Sequence, residues 1–386
     1  WEIVRDLQGA SGVGIGNFEE IGPLDTLLKP RNTTWLAKAD LLFVDNPVGT
    51  GYSFVEDDNL FVKTDYEAAA DLTTFLIKVS NEIKGFDVEG SPLYIVAESY
   101  GGKYAVTLGL SALQAIQSGK LNIKLGGIAL GDTWISPEDF VFSWGPLLKD
   151  VSRLDDNGLA RSNSFAEKIR QEISSGKYAD ATRSWGELEN FISDSTNSVD
   201  LYNFLLDSGM DPLSSASQQV IIRRYRTYLN SQRRVSPGGV GDLDSLMNGP
   251  VKKKLKIIPK DIQWGGQSDL VFNALAGDFM KPRIEQVDQL LAKGVNVTVY
   301  NGQLDVICST RGTEAWVQKL KWDGLKMFEA EGRSPIYCDD NGGTTKGFFK
   351  SYRNLYFYWI LGAGHFVPVD EPCVALKMIS NITHSP

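Results

Sequence analysis

Histidine scarcity gives the first lead to chemistry. A serine hydroxyl acts as a nucleophile only beside a general base that titrates near neutrality, and the chain holds two histidines, His365 and His384. His384 lies in the polar C-terminal tail. His365 lies in Gly362-Ala363-Gly364-His365-Phe366-Val367-Pro368, a loop that follows the aromatic run Asn354–Leu361. The serine to match it is Ser99. The apolar run Leu93–Ala97 passes directly into Glu98-Ser99-Tyr100-Gly101-Gly102, with a helix expected from about Lys103. A serine on a strand-to-helix turn among small residues is the nucleophile-elbow context, with Ala97 in place of the first glycine of G-x-S-x-G. The helix behind it offers N–H groups and a positive dipole end to a developing oxyanion. Taken alone, Ser99 also fits a helix N-cap. The acid should fall between serine and histidine in chain order. Asp305, in Asn301-Gly302-Gln303-Leu304-Asp305 after the apolar run Val295–Tyr300, sits at a strand's carboxyl edge and suits that role. Its bland alternative is to cap a helix over Thr313–Leu320.

The elements that position these residues follow from periodicity. Leu41–Val44, Leu93–Ala97, Gly127–Leu130, Val295–Tyr300 and Asn354–Leu361 read as buried strands of a mostly parallel sheet, because strands covered on both faces lose alternation. Asp65–Ile83 places Ala69, Leu72, Leu76 and Val79 at helical spacing. Strands alternating with helices predict α/β architecture, and with the elbow an α/β-hydrolase fold. From about Trp144 to Ile257 no strong strand run occurs, and helical patterns such as Ser164–Ile173 and Tyr178–Ile192 dominate. We expect a helical cap over 146–256, inserted between two parts of the sheet domain, 1–145 and 257–386. The α/β pattern resumes with a helix expected over Asp278–Leu291.

Composition narrows the function. A length of 386 residues suits one large domain with an insertion, or two domains. The net charge of −9 argues against binding to a nucleic-acid backbone, and the short basic run Lys252–Lys256 reads as solvated surface. No segment is apolar enough to span a membrane. The chain starts at Trp1 without a basic-then-apolar leader, so a processed or cut N-terminus is expected and targeting is not read directly. Three cysteines, Cys308, Cys338 and Cys373, leave at least one thiol without an intrachain partner, and the pairing stays open. Sequons at Asn32, Asn296 and Asn381 fit a secreted glycoprotein. The glycine run Gly9–Gly16 matches neither G-x-G-x-x-G nor a Walker loop, and no metal site or cofactor is expected.

Seven stretches together resemble the serine carboxypeptidase family, closest to its plant serine-carboxypeptidase-like and retinoid-inducible branch. They are Asn17–Pro23 (NFEEIGP), Asp45–Ser53 (DNPVGTGYS), Ala97–Gly102 (AESYGG), Gly131–Pro137 (GDTWISP), Gly277–Pro282 (GDFMKP), Tyr300–Cys308 (YNGQLDVIC) and Gly362–Pro372 (GAGHFVPVDEP). The resemblance implies Ser99, Asp305 and His365 as the catalytic triad. It implies Tyr100 and Gly9 as backbone donors of the oxyanion hole. It further implies a network of Gln8, Gly9, Glu20 and Glu98 that binds the free C-terminal carboxylate of a peptide. Two glutamates facing a carboxylate repel unless protons are shared, so peptide cleavage is expected to favour acid pH. Phe366 stands where the family usually has Met, beside the pocket for the leaving residue. The secretory pathway, ending in secretion or in the vacuole or lysosome, is the compartment the resemblance implies.

The departures from that pattern concern the N-terminal part. Family members carry roughly a strand pair ahead of this start, so a sheet edge is expected to lie open. The family's Trp-Leu-Asn/Gln-Gly-Gly-Pro-Gly loop reads Asp6-Leu7-Gln8-Gly9-Ala10-Ser11-Gly12, shortened at the second oxyanion donor. Loss of one such donor costs about 10²–10³ in rate. The charged pair Arg5-Asp6 stands where an apolar strand belongs. In the family Cys308 often pairs with a cysteine of that loop, where Ala10 is found. Three functions are therefore weighed: a serine carboxypeptidase acting through an acyl-enzyme, an impaired homologue or binding module, and an acyltransferase using the same triad. Glu98 before the serine favours the peptidase over the acyltransferase, whose members usually have Asp there.

Overall fold

Alternate residues of the apolar runs feed two separate cores, one on each face of a single sheet. The computed structural model describes residues 2–5 (main chain only), 11–82, 92–207, 243–266, 268–338 and 343–385. Among these, the strands are β1 Glu2–Arg5, β2 Leu41–Phe43, β3 Leu93–Glu98, β4 Leu125–Gly131, β5 Asn296–Gly302, β6 Ser334–Ile336, β7 Gly347–Tyr352 and β8 Leu355–Ile360. They lie in the order β2-β1-β3-β4-β5-β8-β7-β6. From β2 to β8 in that order every pairing is parallel, and β7 and β6 close the far side antiparallel.

Helices α1 Asp65–Glu82 and α2 Gly101–Gln117 cover one face together with the helix Ile284–Ala292. Ile95, Ala97, Ile128, Leu130, Val297 and Val299 pack there with Leu72 and Leu76 of α1 and Ala105, Leu108 and Ala112 of α2. Their sequence neighbours Val96, Ala129 and Tyr300 point the other way, against Val374, Ala375, Met378 and Ile379 of the C-terminal helix Pro372–Thr383. The strand period of two explains both halves of the pattern. No described helix is long and apolar enough to cross a membrane.

The described residues between Trp144 and Ile257 are mainly helical. They continue α3 (Pro137–Asp150) and include α4 (Asp156–Ser174), capped by Asp155 through the Gly158 N–H at 2.7 Å, and α5 (Tyr178–Ser195). A short bridged segment, Val199 to Asp207, follows.

Two helix expectations need correction. The helix expected over Asp278–Leu291 runs only over Ile284–Ala292, since a residue before proline avoids helical backbone and Pro282 interrupts the run. Asp278 instead joins a buried ionic cluster. Arg283 holds Asp65 through Nε and Nη2, at 2.6 and 2.7 Å, and reaches Asp278 at 3.2 Å, while Lys103 donates to the Asp278 carbonyl at 2.5 Å. This cluster ties α1 and α2 together behind the Ser99 turn. The helix expected over Thr313–Leu320 is Thr310–Val317, and Ser309 caps it through the Gly312 N–H at 3.1 Å. Asp305 is therefore not its cap.

Strands β1, β6 and β7 escaped the hydrophobic pattern. β1 pairs with β2 on one side and β3 on the other, with Arg5 opposite Ala97, so a strand forms where charge argued against it. Asp6 lies outside the described residues. β2 is the outermost strand on that side. β6 carries Pro335, tolerated because it lies at the other edge. Cys338 and Cys373 form a disulfide, and Cys308 is a buried free thiol.

Candidate active site

Ser99, Asp132, Asp305 and His365 all follow the carboxyl ends of adjacent parallel strands, β3, β4, β5 and β8. This is where a parallel sheet leaves a crevice for ligands. Ser99 takes a left-handed conformation, φ 70°, in the turn between β3 and α2. Its N–H donates to Gly131 O at 3.1 Å, and its carbonyl accepts from Trp134 N at 2.8 Å and Gly102 N at 3.1 Å. A side chain at Gly102 would meet Thr133 at 2.4 Å, which explains the small residue after the serine. The N-terminus of α2 takes no side-chain cap, so the N-cap alternative for Ser99 does not hold. Strain held at one non-glycine residue is the kind of feature that accompanies a reactive position. Among the described residues no acceptor takes the Tyr100 N–H at this helix start. The Tyr100 ring is buried, stacked on Phe279 at 5.7 Å.

His365 is wholly buried, and its Nδ1 lies 2.8 Å from Asp305 Oδ2. Its Nε2 is buried and has no hydrogen-bond partner among the described residues. The Ser99–His365 hydrogen bond is thus not formed, as is common before substrate tightens such sites. Both loops are clamped by a segment the sequence did not mark. Tyr202 O accepts from His365 N at 2.8 Å, Leu201 O accepts from Val306 N and Ile307 N at 3.0 Å, and Phe204 N donates to Leu304 O at 3.0 Å. The Tyr202 ring lies 5.0 Å from the imidazole, and Phe366, fully buried, packs edge-on to it at 5.1 Å.

The glutamates meet around Tyr300. Glu98 and Glu20 are both 3% exposed, and the Tyr300 hydroxyl donates to Glu98 Oε1 at 2.9 Å. Burial, then the charges of Glu98, Asp132 and Glu20, push the Tyr300 phenol well above its usual range. A side chain at Gly131 would strike the Tyr300 ring at 2.0 Å, so the glycine that ends β4 makes room for this contact. Tyr300 lay in a quoted motif, but only as a strand residue. Gln8 and Gly9 lie outside the described residues. The Ser11 hydroxyl, at the first described residue after them, donates to Asp45 Oδ1 at 2.5 Å and accepts from Trp264 Nε1 at 2.9 Å. Burial raises the Asp45 carboxyl, against the lowering effect of its bonds to Ser11, Tyr52 and Val13.

The sequons differ in setting. Asn32 is exposed in a turn and Asn381 exposed near the end of the last helix, while Asn296 opens β5, half-buried, with its amide donating to Gly126 O at 3.3 Å. The atoms of Asp305, Cys308 and His365 that can bind metal lie within 4.8 Å of one another, but the Asp305–His365 pair accounts for that grouping. Burial, with Asp305 and Asp132 close by, pushes the Cys308 thiol well above its usual range.

Comparison with known proteins places this geometry. The family model described as Serine carboxypeptidase matches residues 9–385. Serine carboxypeptidase-like 51 of Arabidopsis thaliana is 63% identical, with 100% of this chain and 86% of that protein covered. Retinoid-inducible serine carboxypeptidase of Mus musculus is 48% identical, with 97% and 82% covered. Among solved structures, Kex1(delta)p, a prohormone-processing carboxypeptidase from Saccharomyces cerevisiae, superposes with a TM-score of 0.78 at 22% identity, covering 99% of this chain and 82% of that one. The last likeness bears on the fold, which is that of the α/β-hydrolases. On the sequence matches and the architecture together, the chain belongs to the serine carboxypeptidase family.

Proposed function

We propose that Ser99, His365 and Asp305 form the catalytic triad of a serine carboxypeptidase that removes C-terminal residues from peptides through an acyl-enzyme. The observation that carries this is the buried His365–Asp305 pair, 2.8 Å apart, at the same end of the sheet as the strained Ser99. His365 Nε2 takes the Ser99 proton as Oγ attacks the last peptide carbonyl, and Asp305 Oδ2 holds the Nδ1–H and stabilises the imidazolium. The imidazolium then protonates the departing amine, and water repeats the sequence on the acyl-enzyme. Tyr100 N–H, at the start of α2, is the first oxyanion donor, and Gly9 is the expected second.

Glu98 and Glu20 are the carboxylate-recognition pair, with Gln8 and Gly9. Two buried acids meeting a substrate carboxylate need shared protons, which favours acid pH for peptides and leaves esters without that requirement. Phe366 bounds the leaving-residue side through its packing on His365. We assign residues 146–256 to a helical cap whose segment around Tyr202 holds both catalytic loops. The compartment is the secretory pathway: the Cys338–Cys373 disulfide suits an oxidising environment. Asn32 and Asn381 are the glycan acceptors, whereas Asn296 is engaged in the sheet.

The test is mass-spectrometric analysis of peptides incubated at about pH 5. Stepwise loss of C-terminal residues from a free-acid peptide, absent from its C-terminal amide, is expected. Equal cleavage of both forms, or internal cleavage, refutes the carboxylate recognition. Acyl transfer to an added alcohol in preference to water would point to the acyltransferase reading.

A further inference from the structure

Asp132 has no part in the reaction as described, yet it sits at its centre. It follows β4 with φ 44° and is wholly buried. Its N–H donates to Tyr300 O at 2.9 Å. Its Oδ1 accepts from Asn301 Nδ2 and Gly302 N, both at 2.8 Å. Its Oδ2 is buried and receives no donor among the described residues. Asp305 is the complement: Oδ2 faces His365 Nδ1, and Oδ1 is buried without a donor.

The two carboxyl groups lie just beyond the ends of adjacent strands, β4 and β5, and each keeps one buried oxygen without a donor, Asp132 Oδ2 and Asp305 Oδ1. A carboxylate only accepts, so a contact between two of them requires one proton. The partners decide which residue carries it. Asp305 must be anionic to hold the imidazole N–H. Asp132 faces Glu98 from the end of β3, Tyr300 from β5, and Asp305 and Cys308 from the loop beyond. Burial, then the charges of Asp305 and Glu98, push its carboxyl well above the usual range.

We propose that Asp132 is a positioning residue, a neutral acid whose Oδ2–H donates to Asp305 Oδ1 and fixes the carboxylate that orients His365. The inference rests on the triad reading above and deepens it. When Asp132 ionises, Asp305 loses a donor and gains a neighbouring negative charge. Hydrolysis then declines at alkaline pH for a reason unrelated to substrate carboxylates.

The test compares the full chain with Asp132→Asn and Asp132→Ala. An ester substrate lacking a free carboxylate is followed across pH, and the His365 Nδ1–H resonance is recorded by proton NMR. The asparagine amide supplies the same donor with no proton to lose. We expect Asp132→Asn to keep kcat within about threefold and to lack the alkaline decline, and Asp132→Ala to lose about tenfold or more. Equal losses in both variants, with the alkaline limb of Asp132→Asn unmoved, would overturn the proposal. Should Asp132→Ala fail to fold, Asp132→Asn alone decides. Should the wild type show no hydrolysis, the triad reading fails separately. The His365 resonance then decides: an alkaline step in the wild type that Asp132→Asn abolishes supports the pairing, and identical titrations refute it.

Discussion

Tyr300→Phe separates carboxylate recognition from the hydrolytic machinery. The substitution deletes one hydroxyl, which donates to Glu98 Oε1 at 2.9 Å inside a fully buried site. A hydrogen bond to a charged group contributes about 1.5–3 kcal/mol. The lower end applies, because the variant no longer buries a phenol hydroxyl of its own. At about 1.4 kcal/mol per factor of ten, kcat/KM for a free-acid peptide should fall about tenfold. An ester without a free carboxylate should change by less than about threefold, since no bond of the His365–Asp305 pair passes through the Tyr300 hydroxyl. Both substrates are assayed with the same enzyme preparation at the same pH. A parallel loss on peptide and ester would refute the reasoning, because it would mean that Tyr300 supports the sheet end as a whole. So would an unchanged peptide rate.

Four other outcomes are expected. Asp305→Asn should lower kcat by about 10⁴ through loss of the correct imidazole tautomer, with folding retained by circular dichroism. Arg283→Met leaves Asp65 and Asp278 with one cation fewer in a buried cluster and should reduce unfolding free energy by about 3–5 kcal/mol in urea titrations. Cys373→Ala opens a 35-residue separation closed by the disulfide and should reduce stability by about 3–4 kcal/mol, also read by urea. Burial raises the Tyr358 phenol to about 12. A raised folded-state pKa gives stability that is full below the unfolded value near 10 and is lost as pH climbs through 12, so relative to Tyr358→Phe the wild type should lose about 2–3 kcal/mol across that window.

The candidate triad residues could be picked out because their constraints are local. A strand, a strained turn and a helix surround Ser99 in the sequence itself, and only two histidines competed for the base. The parallel strands were legible because burial on both faces leaves unbroken apolar runs. β1 was not, since its four residues carry charge at both ends and its place between two strands is set by pairing, not by composition. The Tyr202 segment was invisible for a related reason: it holds the loops through main-chain carbonyls, which leave no mark on residue type. Asp132, Tyr300 and Asn301 stood within recognised motifs, but their roles depend on which strand ends become neighbours. The helix expected from Asp278 failed at Pro282, a signal present in the sequence that periodicity overrode.

The most direct test of the central claim is labelling with a fluorophosphonate probe at about pH 5 and pH 7, with Ser99→Ala and His365→Ala as controls. The account predicts one labelled site in the wild type, mapped to Ser99 by peptide sequencing and lost in both variants. Folded protein that stays unlabelled at both pH values, or label that persists in Ser99→Ala, would contradict it.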